Sequence, residues 1–249
     1  MKYQDENSKI IDQWVNEGWE WGTPISHAVF LEAKKGNWDV LLTPVKKVPK
    51  DWFLPFKGLK ILGLASGGGQ QMPIFAALGA ECTVLDYSKK QLESEEFVAN
   101  RENYKINIIH ADMTYPLPFE NNSFDFIFHP VSNIYIEHVE PVFKECYRIL
   151  RKGGIMIGGY DNGLGFVFDE DEKTMRFKLP FNPLKHEEQR EFLEKTDSGY
   201  QFSHTLEEQI GGQLKAGFRL LDLYEDTYAD GPFYEFNIPV FVAVKVIKD

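Results

Sequence analysis

Cysteine is scarce in this chain. Only Cys82 and Cys146 occur among 249 residues, both in apolar surroundings, so a disulfide-stapled scaffold is excluded and two buried free thiols are expected. No apolar run approaches the roughly 20 residues needed to span a membrane. The first ten residues, Met1 to Ile10, are polar and charged, unlike a secretory leader, and a cytoplasmic location follows by default. Basic residues are in deficit as well, with 27 Lys and Arg against 38 Asp and Glu and a net charge of −11. They are scattered among acids rather than clustered, which disfavours RNA or DNA as a partner. Internal repeats, low-complexity tracts, metal-ligand spacings and a nucleophile elbow are all absent.

What remains is an ordinary globular composition, 43% hydrophobic and 26% charged, in a chain long enough to bury one full core. A single domain of 1–249 is expected, in four parts. Residues 1–56 hold all five tryptophans and two helical patterns, around Ile10–Val15 and after Pro24, and read as a helical cap. Residues 57–161 alternate strand and helix patterns, which predicts βαβ units and a parallel sheet. The predicted strands are 59–64, 82–86, 106–110, 124–128 and 155–160, with helices near 71–78, 89–103 and 138–150. Arg151-Lys152-Gly153-Gly154 reads as the end of the last of these helices. Residues 162–204, beginning with an acidic irregular stretch (169–173), form an insertion. Residues 205–249 carry a helix to about Ala216 and strands at 218–224 and 240–247. Ser88 with Gln91, and Thr205 with Glu208, have the spacing of capping boxes.

The chemistry-bearing signal begins where the first strand stops, at Ile61-Leu62-Gly63-Leu64-Ala65-Ser66-Gly67-Gly68-Gly69-Gln70. A strand that enters a helix through glycines is expected to leave backbone N–H groups facing a ligand, as nucleotide-like cofactors require. Asp86 ends the second strand, 19 residues after Gly67, where a carboxylate can accept both hydroxyls of a ribose. Asp112 ends the third, placed to accept from an adenine amino group, with Met113 to cover the ring; an Asx turn before Pro116 is the other reading. His129 ends strand four and is either a general base or substrate contact, or a histidine bonded for structural reasons. Asp161 and His204 are further candidates, and His27, Tyr135 and Glu137 candidate pocket residues. The tryptophans pack the cap or, as a group, roof the site.

This ordered series resembles the class I S-adenosylmethionine-dependent methyltransferases, in particular the broad small-molecule methyltransferase-domain group. The resemblance implies a Rossmann-like, doubly wound α/β sheet of seven strands, mostly parallel, with the last antiparallel. It implies that S-adenosylmethionine lies across the strand ends around Gly67, Asp86 and Asp112. The contact set expected on that basis is Ala65, Ser66, Gly67, Gly69, Gln70, Asp86, Tyr87, Ser88, Gln91, Asp112, Met113 and His129, with a small-molecule acceptor and no metal. In one respect the chain departs from the family. Gly63 stands where an acid usually ends the first strand, and Ala65 where the first glycine stands, while Gly67 and Gly69 match. Two other functions fit the residues: a non-catalytic S-adenosylmethionine sensor or partner subunit, and a nicotinamide-dependent oxidoreductase. The latter needs Gly-x-Gly-x-x-Gly, whereas this turn reads Gly63-x-Ala65-x-x-Gly68.

Overall fold

Strands that are apolar on both faces require a layer of helices on each side of their sheet. The computed structural model of the chain has that architecture and describes residues 2–169 and 171–249. Met1, and Glu170 of the expected acidic stretch, lie outside the described residues. Helices α1 (Tyr3–Asn16) and α2 (His27–Lys34) precede β1 (Lys60–Leu64). The core continues with α3 (Gln71–Ala77), β2 (Glu81–Asp86), α4 (Lys89–Glu102), β3 (Ile106–His110), β4 (Phe124–His129), α5 (Glu140–Ile149) and β5 (Leu150–Asp161). Then follow α6 (Glu187–Lys195), a π-helical turn (Glu207–Gly211) running into α7 (Gly212–Ala216), β6 (Arg219–Asp226), α8 (Gly231–Glu235) and β7 (Phe241–Ile247).

The seven strands lie in the order β3-β2-β1-β4-β5-β7-β6. β7 is antiparallel to both β5 and β6, and the other six strands share one direction. Alternation along the strands sorts side chains to the two faces. Leu62, Leu64, Ile127 and Met156 pack with Val142, Phe143, Cys146 and Ile149 of α5. Ile61, Phe126, Phe128 and Ile157 pack on the opposite face with Met72, Ile74 and Phe75 of α3. Both cysteines are buried and free. The strand order reverses between β1 and β4, and such a switch point opens a crevice at the carboxyl ends of the strands. Among the described residues no helix is long and apolar enough to cross a membrane.

Two local readings are corrected and a third, the insertion, gains detail. Arg151 and Lys152 do not end a helix: α5 stops at Ile149, Arg151 is in β5, and its Nε pairs with Asp125 Oδ1 at 2.9 Å. Leu150 pairs with Phe124 and Ile155 with Phe126, so 151–154 form a bulge at the start of β5, where Gly153 and Gly154 bond Lys248. The insertion 162–204 carries a helix of its own, α6. The helix expected from Thr205 opens as a π turn, although Thr205 and Glu208 do form the reciprocal cap, with N–H to side-chain distances of 2.8 and 3.1 Å.

Candidate functional site

The glycine turn leaves β1 through Ala65, a non-glycine residue held at φ +46°, and continues through Gly68 (φ +102°) and Gly69 (φ +70°). Contrary to expectation, four of its N–H groups, all three glycines' among them, are taken by the protein itself. Ala65 N–H donates to the Leu85 carbonyl (2.7 Å), Gly67 N–H to Asp86 Oδ2 (3.0 Å), Gly68 N–H to the Gln91 carbonyl (2.9 Å) and Gly69 N–H to Glu95 Oε1 (2.9 Å). The glycines serve close packing against the protein itself. A Cβ would lie 2.6 Å from Gln91 Cβ at Gly67, 2.5 Å from the Trp21 carbonyl oxygen at Gly68 and 2.8 Å from the Ser94 carbonyl oxygen at Gly69. Gly63 has a local reason too. Met72 of α3 covers it, and a Cβ there would meet the Met72 sulfur at 2.9 Å, so a larger residue would have to displace that side chain.

Beyond the turn a cavity of about 720 Å³ opens over the strand ends. Ten of the twelve expected contact residues line it: Ala65, Ser66, Gly67, Gln70, Asp86, Tyr87, Ser88, Gln91, Asp112 and Met113. Gly69 does not, because it is turned toward α4. Asp86 accepts from Gly67 N–H through Oδ2 and from Ser88 N–H through Oδ1 (2.9 Å). Burial pushes its pKa above the usual carboxylate range, against the pull of those N–H groups. Asp112 Oδ1 accepts from Thr114 N–H at 2.8 Å, the Asx turn, while the residue still faces the cavity. Gln91 Nε2 reaches the Trp21 carbonyl at 3.4 Å, and its Oε1 is buried with no partner.

His129 does not line the cavity. It is fully buried, with Nδ1 2.9 Å from the Leu64 carbonyl and Nε2 2.8 Å from the Asn133 amide, which in turn bonds the Gln209 amide. Burial lowers its pKa and favours the neutral ring. The next residues, Pro130 to Ser132, line the cavity in its place. His204 is likewise committed, with Nε2 3.0 and 2.9 Å from the carbonyls of Asn133 and Ile136. His27 pairs with Glu102 at the surface and Glu137 bonds Asn182, so neither reaches the cavity, whereas Tyr135 does. Asp161 lines it, only 5% exposed, with burial pushing its pKa up to about 7.

Two segments enclose the site from outside the sheet. From α1, Gln4, Asn7, Ser8 and Ile11 face the cavity, and Trp19 and Trp21 follow. The helix is tied to the Asp86 loop: Ser8 Oγ donates to the Tyr87 carbonyl (2.7 Å), and Asp12 accepts from Ser88 Oγ (2.6 Å) and Lys90 N–H (3.0 Å). The tryptophans therefore divide. Trp38 stacks edge-on against Phe53 and Phe56, and buried Trp52 donates Nε1–H to Asp222, both away from the cavity. The insertion forms the far wall with Phe166, Phe168, Phe177, Phe181 and Phe192. Sequence reasoning assigned that stretch no role, although five phenylalanines within 166–192 were the available signal.

Residues 62–158 match the model of a methyltransferase domain. The uncharacterized methyltransferase YbaJ of Bacillus subtilis is 44% identical over 228 residues, covering 88% of this chain and 89% of that one. The chain belongs to the class I S-adenosylmethionine-dependent methyltransferases. A demethylmenaquinone methyltransferase of Staphylococcus aureus is 34% identical over 116 residues, 45% of this chain and 46% of that protein. An S-adenosylmethionine-dependent methyltransferase from Mesorhizobium loti has the same fold, with a TM-score of 0.65 at 18% identity over 80% of this chain and 95% of that one. In this methyltransferase, no group of three or more His, Cys, Asp or Glu among the described residues is placed to hold a metal ion.

Proposed function

We propose that this methyltransferase acts on a small-molecule acceptor, with S-adenosylmethionine bound over the ends of β1, β2 and β3 and the acceptor beside it toward β5. The observation that carries this reading is the enclosure itself. A cavity of about 720 Å³ roofed by α1 and walled by the insertion matches the size of small-ligand sites, which run from roughly 300 to 1,000 Å³. The residues at its β1–β3 end suit the cofactor. Asp86 is anchored by one N–H on each oxygen and keeps lone pairs for the ribose hydroxyls. Asp112 suits the adenine amino group and Met113 the ring face, and Gln91 Oε1 is a buried acceptor still in need of a donor.

The bound cofactor supplies an activated sulfonium methyl. The chain's part is then to hold the acceptor in line with it, exclude water and take up a proton where the acceptor carries one. Calorimetric titration of S-adenosylmethionine into the parent and into Asp86→Asn tests the cofactor end. The variant is expected to bind more weakly by about 1.5–3 kcal/mol, the scale of a charged hydrogen bond. Unchanged affinity in a folded variant refutes the role given to Asp86. Native mass spectrometry of the purified chain checks directly for retained cofactor or its demethylated product.

A further inference from the structure

The lining of the cavity has an unusual charge balance. Seven carboxylates face it and, among the described residues, no lysine, arginine or histidine does. The acids fall into two groups. Glu20, Asp86 and Asp112 stand at the end assigned to the cofactor. Asp161, Asp169, Glu172 and Asp230 stand at the other, with β5 and the segments that follow it and β6. Asp86 and Asp161 close strands three positions apart in the sheet, about 14 Å at ordinary strand spacing. A methyl donor seated on the first group leaves the second to the acceptor.

Within that second group Asp161 is the buried member. Asp169 is paired with Arg176 (3.1 Å), whose guanidinium lies over Phe177 and Phe192, and Glu172 accepts the Phe233 N–H (3.1 Å). Asp161 receives a single hydrogen bond, from Gly163 N–H to Oδ1, and its Oδ2 has no partner among the described residues. Aromatic side chains, Phe166, Phe168, Phe181, Tyr228 and Phe233, line the same end. A carboxylate in apolar surroundings needs a counter-charge, and here the protein supplies none. Aromatic faces add attraction for a cation and none for an anion.

We propose that the acceptor is a small amine, held as its ammonium ion between Asp161 and these aromatic faces and methylated on nitrogen. This rests on the reading of the cavity as the methyl-transfer site. The ammonium loses a proton to the Asp161 carboxylate, and the freed nitrogen lone pair forms the new N–C bond. The C–S bond breaks with its electron pair kept by sulfur, and Asp161 returns the proton to solvent. An acceptor bearing a carboxylate or phosphate at this end finds no cation among the lining side chains.

The test compares three probes of one shape: phenethylamine, phenethyl alcohol and phenylpropanoate. Each is titrated calorimetrically into the full chain saturated with S-adenosylhomocysteine, whose own binding is measured first. Phenethylamine is expected to bind about ten-fold or more above the other two, and Asp161→Asn to remove about ten-fold of that preference while still binding S-adenosylhomocysteine. Release of S-adenosylhomocysteine from S-adenosylmethionine is expected with phenethylamine alone among the three. Equal affinity for the three probes, a preference for phenylpropanoate, or a preference unmoved in Asp161→Asn overturns the amine assignment and leaves the methyl-transfer site standing. Failure to bind S-adenosylhomocysteine removes the underlying reading, and the amine assignment with it.

Discussion

Glu95 lies fully buried in α4 beneath the glycine turn, and its replacement by Gln offers a direct measure of what that turn rests on. Its Oε1 accepts the Gly69 N–H at 2.9 Å, while Oε2 has no partner. Burial, helped by the nearby Asp86 charge and opposed by the Gly69 N–H, pushes its pKa from 4.5 up to about 8. In the unfolded chain the group titrates near its ordinary value, so the folded state holds a proton that the unfolded state has lost across that window. The stability contribution is therefore fully present below about pH 4.5 and is lost as pH rises to about 8. At about 1.4 kcal/mol per unit, the whole shift corresponds to roughly 5 kcal/mol, and water drawn to an ionised Oε2 trims this to about 2–4. Glu95→Gln keeps the acceptor for Gly69 and cannot ionise. Urea unfolding of parent and variant at about pH 5.5 and about pH 8.5 is expected to show the variant gaining on the parent by about 2–3 kcal/mol between the two conditions. A difference that stays constant with pH refutes the buried-proton argument.

Three further outcomes are expected. Ala65 sits at φ +46°, so Ala65→Gly is expected to stabilise by about 0.5–1 kcal/mol and Ala65→Val to destabilise by about 1–2, opposite signs that thermal melts resolve. His129→Ala is expected to cost about 3 kcal/mol by chemical denaturation, because it opens a void and strands the Leu64 carbonyl and the Asn133 amide. In a folded His129→Gln the pH profile of methyl transfer is expected to keep its shape; loss of a limb would make the histidine a proton carrier after all. Bound S-adenosylmethionine is expected to slow amide exchange in Tyr3–Asn16, four of whose side chains face the cavity, while an unchanged exchange pattern there speaks against contact.

Much of this fold was legible because periodicity and order are local properties. Apolar strands alternating with helical segments gave the sheet, and Asp86 and Asp112 were found by their position one step past an apolar run. Non-local facts were not readable in this way. That Met72 fills the space over Gly63, or that the Trp21 carbonyl lies against Gly68, depends on contacts between segments far apart in sequence. The choice between the two readings of His129 was open for the same reason: one residue short of the cavity, it turns inward to Leu64 and Asn133, the structural reading. The phenylalanine wall escaped notice because an irregular insertion has no period to read, and only its aromatic density marked it.

The short stretch from Glu20 to Thr23 has a mechanical consequence. Its four successive carbonyls are each taken by a side chain from the core: Gln70 Nε2 reaches those of Glu20 (2.7 Å) and Thr23 (3.1 Å), Gln91 Nε2 that of Trp21, and Ser94 Oγ that of Gly22 (3.1 Å). That strip is riveted to the floor of the site, so the roof is fixed at the end that follows α1. Beyond the turn at Gly18 (φ +89°) the helix is held by bonds to Tyr87 and Ser88 and, through buried Asn7, to the backbone of Tyr135 and Tyr200. The roof of the cavity and the loop that carries Asp86 therefore share one set of hydrogen bonds.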